Sequence, residues 1–246
     1  MPRSFIPIAL CVLLSLGACA THKIPPQIAA AVADPARPAA DRARDDNRKP
    51  AEIVAFAGVA EGAKVAELLP GGGYYTRILS KAVAARGHVY AMVAGEFLAR
   101  RPMGADAVKA IASDPAYANV SVITAPFAAF KTPEPVDLVW TSDNYHDLKI
   151  PALGADTAAL DKAIFAALKP GGVFLVLDHA AAPGSGTRDV ATLHRIDPEV
   201  VKSEVLAAGF VLDGTSDVLR NPADDHSQKV FDGAIRERPT SSCSAS

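Results

Sequence analysis

The chain has 246 residues, half of them hydrophobic, and its 25 basic and 27 acidic side chains give a formal net charge of −2. A mildly acidic chain without a basic stripe argues against a nucleic-acid partner. Its three cysteines, Cys11, Cys19 and Cys243, leave no pair for a disulfide framework and no spacing for a cysteine-based metal centre.

The chain opens on Arg3 and an apolar run over residues 5–16, short for a bilayer span and suited to a signal-peptide core. The run ends Leu16-Gly17-Ala18-Cys19, which resembles the lipobox of bacterial lipoproteins. That resemblance implies a leader over residues 1–18, a lipid anchor at Cys19 and an exported protein facing the periplasm. Ala20, where aspartate would mark inner-membrane retention, favours the outer membrane. A simple secretory signal is the alternative. Residues 19–45 are rich in Ala, Pro, Asp and Arg with no lasting apolar period, and read as a flexible tether. Residues 46–235 suit one domain with a sizeable core, and residues 236–246 read as a disordered tail.

Within the domain, residues 51–60 read as a short helix ended by Gly62. An apolar strand over residues 64–69 then runs into Gly71, Gly72 and Gly73. Glycine lacks a Cβ, so such a loop can take positive φ and let a ligand approach the backbone. The helix that follows at once points its free N–H groups over that loop. It carries Ile78, Leu79, Ala82 and Val83 on one face, with Gly87 as its expected C-cap. Further strands are expected over residues 88–93, 120–124 and 136–141, and a helix over 157–168. Asp197 as N-cap, Pro198 at the first helical position and Gly209 past the end bracket another helix, before a sixth strand over 210–215. Alternation of this kind implies an α/β fold, Rossmann-like, with a mostly parallel sheet covered on both faces.

In an open α/β sheet ligands bind beyond the carboxyl ends of the strands. The loop Thr141-Ser142-Asp143-Asn144-Tyr145-His146-Asp147 should therefore border a reaction centre. Asp143 or His146 could take a proton from an acceptor, His146 the better for a pKa near working pH. Asn144 and Tyr145 could orient that acceptor. The alternative is a capped loop whose side chains bind their own backbone. Asp178-His179 falls at the same rim, with His194 and Asp197 from the next segment. Such groups could ligate a metal, but no tight spacing supports one, and Asp197 is already explained as a cap, so no metal is expected. His226 reads as a solvated loop residue.

Glu67, two apolar residues and the glycine turn resemble the first motif of class I S-adenosylmethionine-dependent methyltransferases. Leu168-Lys169-Pro170-Gly171-Gly172, followed by the apolar run to Asp178, resembles that family's helix–turn–fifth-strand signature. The tract Gly71-Gly72-Gly73-Tyr74-Tyr75-Thr76-Arg77 and the runs at 144–148 and 194–197 resemble one bacterial subfamily of exported methyltransferases. The resemblance implies S-adenosylmethionine as cofactor and a small-molecule acceptor. It implies that Glu67 holds the methionine end and that Gly71, Gly72 and Gly73 pass beneath it. Glu96, just past the second strand, would serve the ribose, and Asn144 is a further cofactor contact. It also implies a seventh, antiparallel strand beside the fifth. Residues 236–246 show no such pattern, so that strand is expected to be missing or degenerate, and the protein less stable and aggregation-prone. Two rivals stand beside this reading. One is a non-catalytic ligand-binding module with a degenerate pocket. The other is a nicotinamide-dependent oxidoreductase, whose G-x-G-x-x-G loop would here place Thr76 at its third glycine.

Overall fold

The computed structural model describes residues 23–232 and the backbone of residues 241–245. The expected leader and the anchor at Cys19 lie outside the described residues, as do positions 236–240 and 246 of the expected tail. Four short helices come first: α1 (Pro26–Val32), α2 (Ala39–Arg42), α3 (Asp45–Arg48) and α4 (Pro50–Phe56). Then follow β1 (Lys64–Leu68), α5 (Tyr74–Ala82), β2 (His88–Ala94), α6 (Gly95–Arg100), α7 (Asp106–Ser113) and β3 (Val120–Ala125). The second half holds β4 (Val136–Ser142), α8 (Thr157–Ala167), β5 (Leu168–His179), α9 (Pro198–Ala207), β6 (Gly214–Ser216) and β7 (Ser241–Ala245).

One sheet of order β3-β2-β1-β4-β5-β7-β6 results. β1 to β5 are parallel, and β7 runs antiparallel to both β5 and β6. The α/β Rossmann-like fold expected from the alternation is what forms. Its strands can be apolar along their whole length because helices cover both faces. Ile53, Ile78, Leu79 and Ile111 pack on one face, and Leu160, Ile164, Val205 and Phe174 on the other. Successive strands move outward from β1 through β2 to β3, and the chain then returns to lay β4 on β1's other side. That reversal opens a crevice at the carboxyl ends of β1 and β4.

Several expectations need correction. The seventh strand is present: Ser241–Ala245 lies between β5 and β6, with Leu175 opposite Ala245 and His179 opposite Ser241. A ladder is made by backbone N–H and C=O groups, which Ser, Cys and Ala supply as well as Val or Ile. The strand is therefore degenerate in composition only. This part of the tail pairs with β5, so the ground for expecting aggregation, an unpaired β5, falls away. The tether also needs correction over the described residues. Pro26 sits in the first turn of α1, where its fixed φ suits a helix start. Ile28 and Ala31 are buried in the same cluster as α5. A helix this short gives little periodicity to read. Gly87 is not the C-cap of α5; Ala84 takes the left-handed conformation (φ 57°) instead. A Cβ at Gly87 would lie 2.4 Å from that of Val83, so close packing is what this glycine serves.

Candidate functional site

β1 ends at Leu68, and Leu69, with a φ of 53°, turns the chain into Pro70 and the glycines. Gly71 and Gly73 both have positive φ (54° and 77°). A Cβ at Gly73 would stand 2.1 Å from Ile111 Cδ1, whereas Gly71 and Gly72 face open space. Glu67 lies beneath this loop and is buried. Its Oε2 accepts a hydrogen bond from Thr76 Oγ1 at 2.6 Å. Burial pushes the Glu67 carboxyl up to about 8, with the Thr76 hydrogen bonds and the Arg77 charge pulling the other way. Glu67, Gly71, Gly72, Tyr74 and Asn144 line a cavity of about 300 Å³.

The N-terminal helices form one wall of that cavity, through Asp41, Arg44 and Arg48. Charged pairs hold this cap. The buried Arg37 guanidinium makes two 2.8 Å bonds to Asp45, which also accepts from Tyr74 Oη at 2.6 Å. Arg77 reaches Asp41 at 3.0 Å. Arg48 lies 4.8 Å from the centre of the Tyr74 ring and pairs with Asp143 at 2.7 Å.

Asp143 has a φ of 58°, and its N–H donates to Leu177 O at 2.8 Å, fastening the end of β4 to β5. Burial alone would raise its pKa, but Arg48, His179 and His146 hold the carboxyl below its ordinary value. Asp143 is thus engaged with Arg48, which leaves it less suited than His146 to take a proton. Asn144 does line the cavity, yet its amide is spent on structure. Nδ2 donates to Leu69 O and Ser142 O, and Oδ1 accepts from Thr141 Oγ1. Tyr145 points the other way. Its hydroxyl donates to Asp161 at 2.8 Å and lies 3.1 Å from Glu204 on the α8–α9 face, and burial with these carboxylates raises its pKa. It lines neither cavity and has no catalytic position.

His146 is buried at the centre of the loop. Its Nδ1 lies 2.7 Å from Asp178 Oδ1, while Asp178 Oδ2 accepts the His146 backbone N–H at 2.6 Å. Burial alone would lower the imidazole pKa, but Asp178 overrides it and the value is raised. His146 lines a second cavity of about 930 Å³, shared with His179, His194, Asp147, Arg100 and Arg101. Asp143, Asp147, Arg44 and Arg48 border both cavities, so the two adjoin. Asp178 as partner of His146, and the arginines of the cap, are the functional candidates the sequence reading missed. The strand-end acid Asp178 was visible, but its contact thirty-two positions upstream was not.

Glu96, the acid expected to serve the ribose, is engaged with backbone in this structure. Both its carboxylate oxygens accept from Phe127 N at 3.2 Å, and it lines neither cavity. It lies in the first turn of α6, where an acid suits the helix end and ties it to the end of β3. Asp197 caps α9 as expected, accepting from Glu199 N at 3.1 Å. His226 also lines neither cavity.

No family model matches the sequence, and no curated protein does. Solved structures do. A SAM-dependent methyltransferase from Aquifex aeolicus is 20% identical, with a TM-score of 0.56 over 71% of this chain and 86% of its own. An S-adenosylmethionine-dependent methyltransferase from Mesorhizobium loti is 14% identical, with a TM-score of 0.57 over 82% of this chain and 98% of its own. An arsenic(III) S-adenosylmethionine methyltransferase from Chlamydomonas reinhardtii is 17% identical, with a TM-score of 0.55 over 90% of this chain and 73% of its own. At such identities the likeness establishes the fold.

Proposed function

We propose, with the methyltransferase fold as premise, that this chain binds S-adenosylmethionine and transfers its methyl group to a small acceptor. The observation that carries the reading is Glu67, a buried carboxyl at the floor of a glycine-walled cavity that opens into a second one. A buried acid with no cationic partner at hydrogen-bond distance among the described residues suits a cationic ligand. Glu67 would take the amino group of the cofactor, and Arg44 and Arg48 its carboxylate. The backbone of Gly71 and Gly72, where no Cβ intervenes, leaves room beneath it. The two adjoining cavities are in the size range of small-molecule sites. When bound, the sulfonium supplies an already activated methyl group, so the protein mainly aligns the acceptor. His146, oriented by Asp178, is placed to accept a proton from the acceptor in the larger cavity. Arg100 and Arg101 at that cavity make no ion pair among the described residues, which favours an acceptor with a carboxylate, phosphate or similar anionic group.

Calorimetry with S-adenosylmethionine and S-adenosylhomocysteine tests the reading, with a Gly71→Asp, Gly73→Asp variant as control. Micromolar binding lost in the control is the expected result. No binding by folded protein would sink it. Binding without transfer to any anionic acceptor would point to the non-catalytic module, which the displaced Glu96 favours. Thr76, held on Glu67, counts against a dinucleotide loop. We also propose export with a lipid on Cys19, supported by the leader sequence alone. Palmitate labelling that survives Cys19→Ala would refute it.

A further inference from the structure

His146, Asp147 and His194 converge at the wall of the larger cavity. His146 Nε2 lies 3.2 Å from His194 Nδ1, His146 Nε2 lies 3.4 Å from Asp147 Oδ1, and His194 Nδ1 lies 3.6 Å from the same oxygen. Three ligands of a tetrahedral ion at bond lengths of about 2.0–2.1 Å stand roughly 3.3–3.4 Å apart. The triangle already has that size. We infer that these three side chains form a binding site for a first-row divalent transition metal, zinc or an ion of similar coordination.

Two independent features support the assignment. Asp178 binds Nδ1 of His146, which places the Nδ1 proton on that bond and leaves the Nε2 lone pair aimed into the triangle. A carboxylate behind a histidine is the usual outer support of a metal ligand. His194 is held in a left-handed backbone conformation (φ 55°), uncommon for a residue with a Cβ. Its neighbour Arg195 fixes it there, fully buried and donating to Ala180 O, Gln228 O and Asp224. Ile196 N donates to His179 O at 3.0 Å, tying the same segment to the end of β5. The rigid backbone and the oriented imidazole set the distances before any ion arrives.

Three protein ligands leave a fourth position open to the cavity, the pattern of a catalytic rather than a structural site. Methyl transfer from a sulfonium does not itself require a metal. The ion binds whether or not the chain is a methyltransferase; only its role rests on that reading. There it would hold an acceptor oxygen or sulfur and lower its pKa, a task otherwise left to the imidazole.

The test is a titration of the full, metal-stripped chain with Co²⁺, followed by visible absorption, and then competition by Zn²⁺. His194→Ala and Asp147→Ala are run beside the wild type, with melts and S-adenosylmethionine binding as checks. One equivalent of Co²⁺ with the strong d–d bands of four-coordination, displaced by Zn²⁺ and lost in both variants, is expected. Asp178→Asn should weaken binding about 10- to 100-fold. Absence of stoichiometric binding by folded wild type, or survival of the spectrum in either variant, overturns the site. His194 does not line the cofactor cavity, so its variant should keep S-adenosylmethionine affinity. If cofactor binding is absent from wild type while Co²⁺ binds, the methyltransferase reading fails and the metal site stands.

Discussion

At the scale of single residues, Glu67 governs the response to pH. Its carboxyl is held up to about 8 by burial, against about 4.5 when exposed. Between these values the unfolded chain has released a proton that the folded one keeps, so stability falls as pH rises through that window. The slope reaches about 1.4 kcal/mol per pH unit and vanishes above the folded value. Urea melts across the window should show this difference between wild type and Glu67→Gln, whose curve lacks that component. A cationic ligand reverses the sign, since it prefers the carboxylate. S-adenosylmethionine should bind more tightly as pH approaches 8, by up to about tenfold per unit, and Glu67→Gln should flatten the profile. His146 behaves differently. Asp178 raises its pKa above the usual 6.5, so in metal-free enzyme a proton-accepting imidazole is lost as pH falls through a value above that figure. Asp178→Asn should move this acid limb down and cut transfer by about 10²–10⁴, with cofactor affinity unchanged. A loss of affinity equal to the loss of rate would show that Asp178 only supports the fold.

At the scale of elements, the N-terminal cap and β7 carry the predictions. Arg37→Ala leaves Asp45 and Tyr74 facing a buried gap. Breaking a buried pair costs about 3–5 kcal/mol, here drawn from the docking of the cap. Trypsin should then cut within residues 23–48 while the sheet persists, and equal resistance in wild type and variant would argue against the pair as the fastening. Deleting residues 241–246 uncovers the backbone edges of β5 and β6. Light scattering should then report aggregation during heating, whereas the full chain should melt cooperatively at an ordinary mesophilic temperature. These two elements are also where sequence reading failed. The parallel strands were legible because burial on both faces demands unbroken apolar runs, and α9 because Asp197 and Pro198 mark its start. β7 is made of Ser, Cys and Ala, and its stability comes from pairing with β5, which no local pattern records. The cap is held to the domain by Arg77–Asp41 and Arg48–Asp143, partners 36 and 95 residues apart in the chain. At the site, position along the strands was enough to put His146 just past the carboxyl end of β4. The directions of Tyr145 and Glu96 depend on side-chain contacts with Asp161 and Phe127, and spacing gives no view of those.

At the scale of the whole molecule, a chain of net charge −2 concentrates positive charge around one opening. Arg44, Arg48, Arg100 and Arg101 border the larger cavity, against the carboxylates of Asp143 and Asp147. A cleft with an excess of one sign of charge raises the local concentration of counter-charged solutes, an effect that salt screens. The Arg48–Asp143 pair has a consequence for speed. It joins the cap to the loop that borders both cavities, and a ligand that enters between cap and loop has to part it. Turnover would then be paced by the exit of spent cofactor, with the chemical step already complete. Solvent viscosity should slow the steady state while leaving a single turnover untouched, and Arg48→Ala should lift that brake while also weakening the hold on the cofactor's carboxylate.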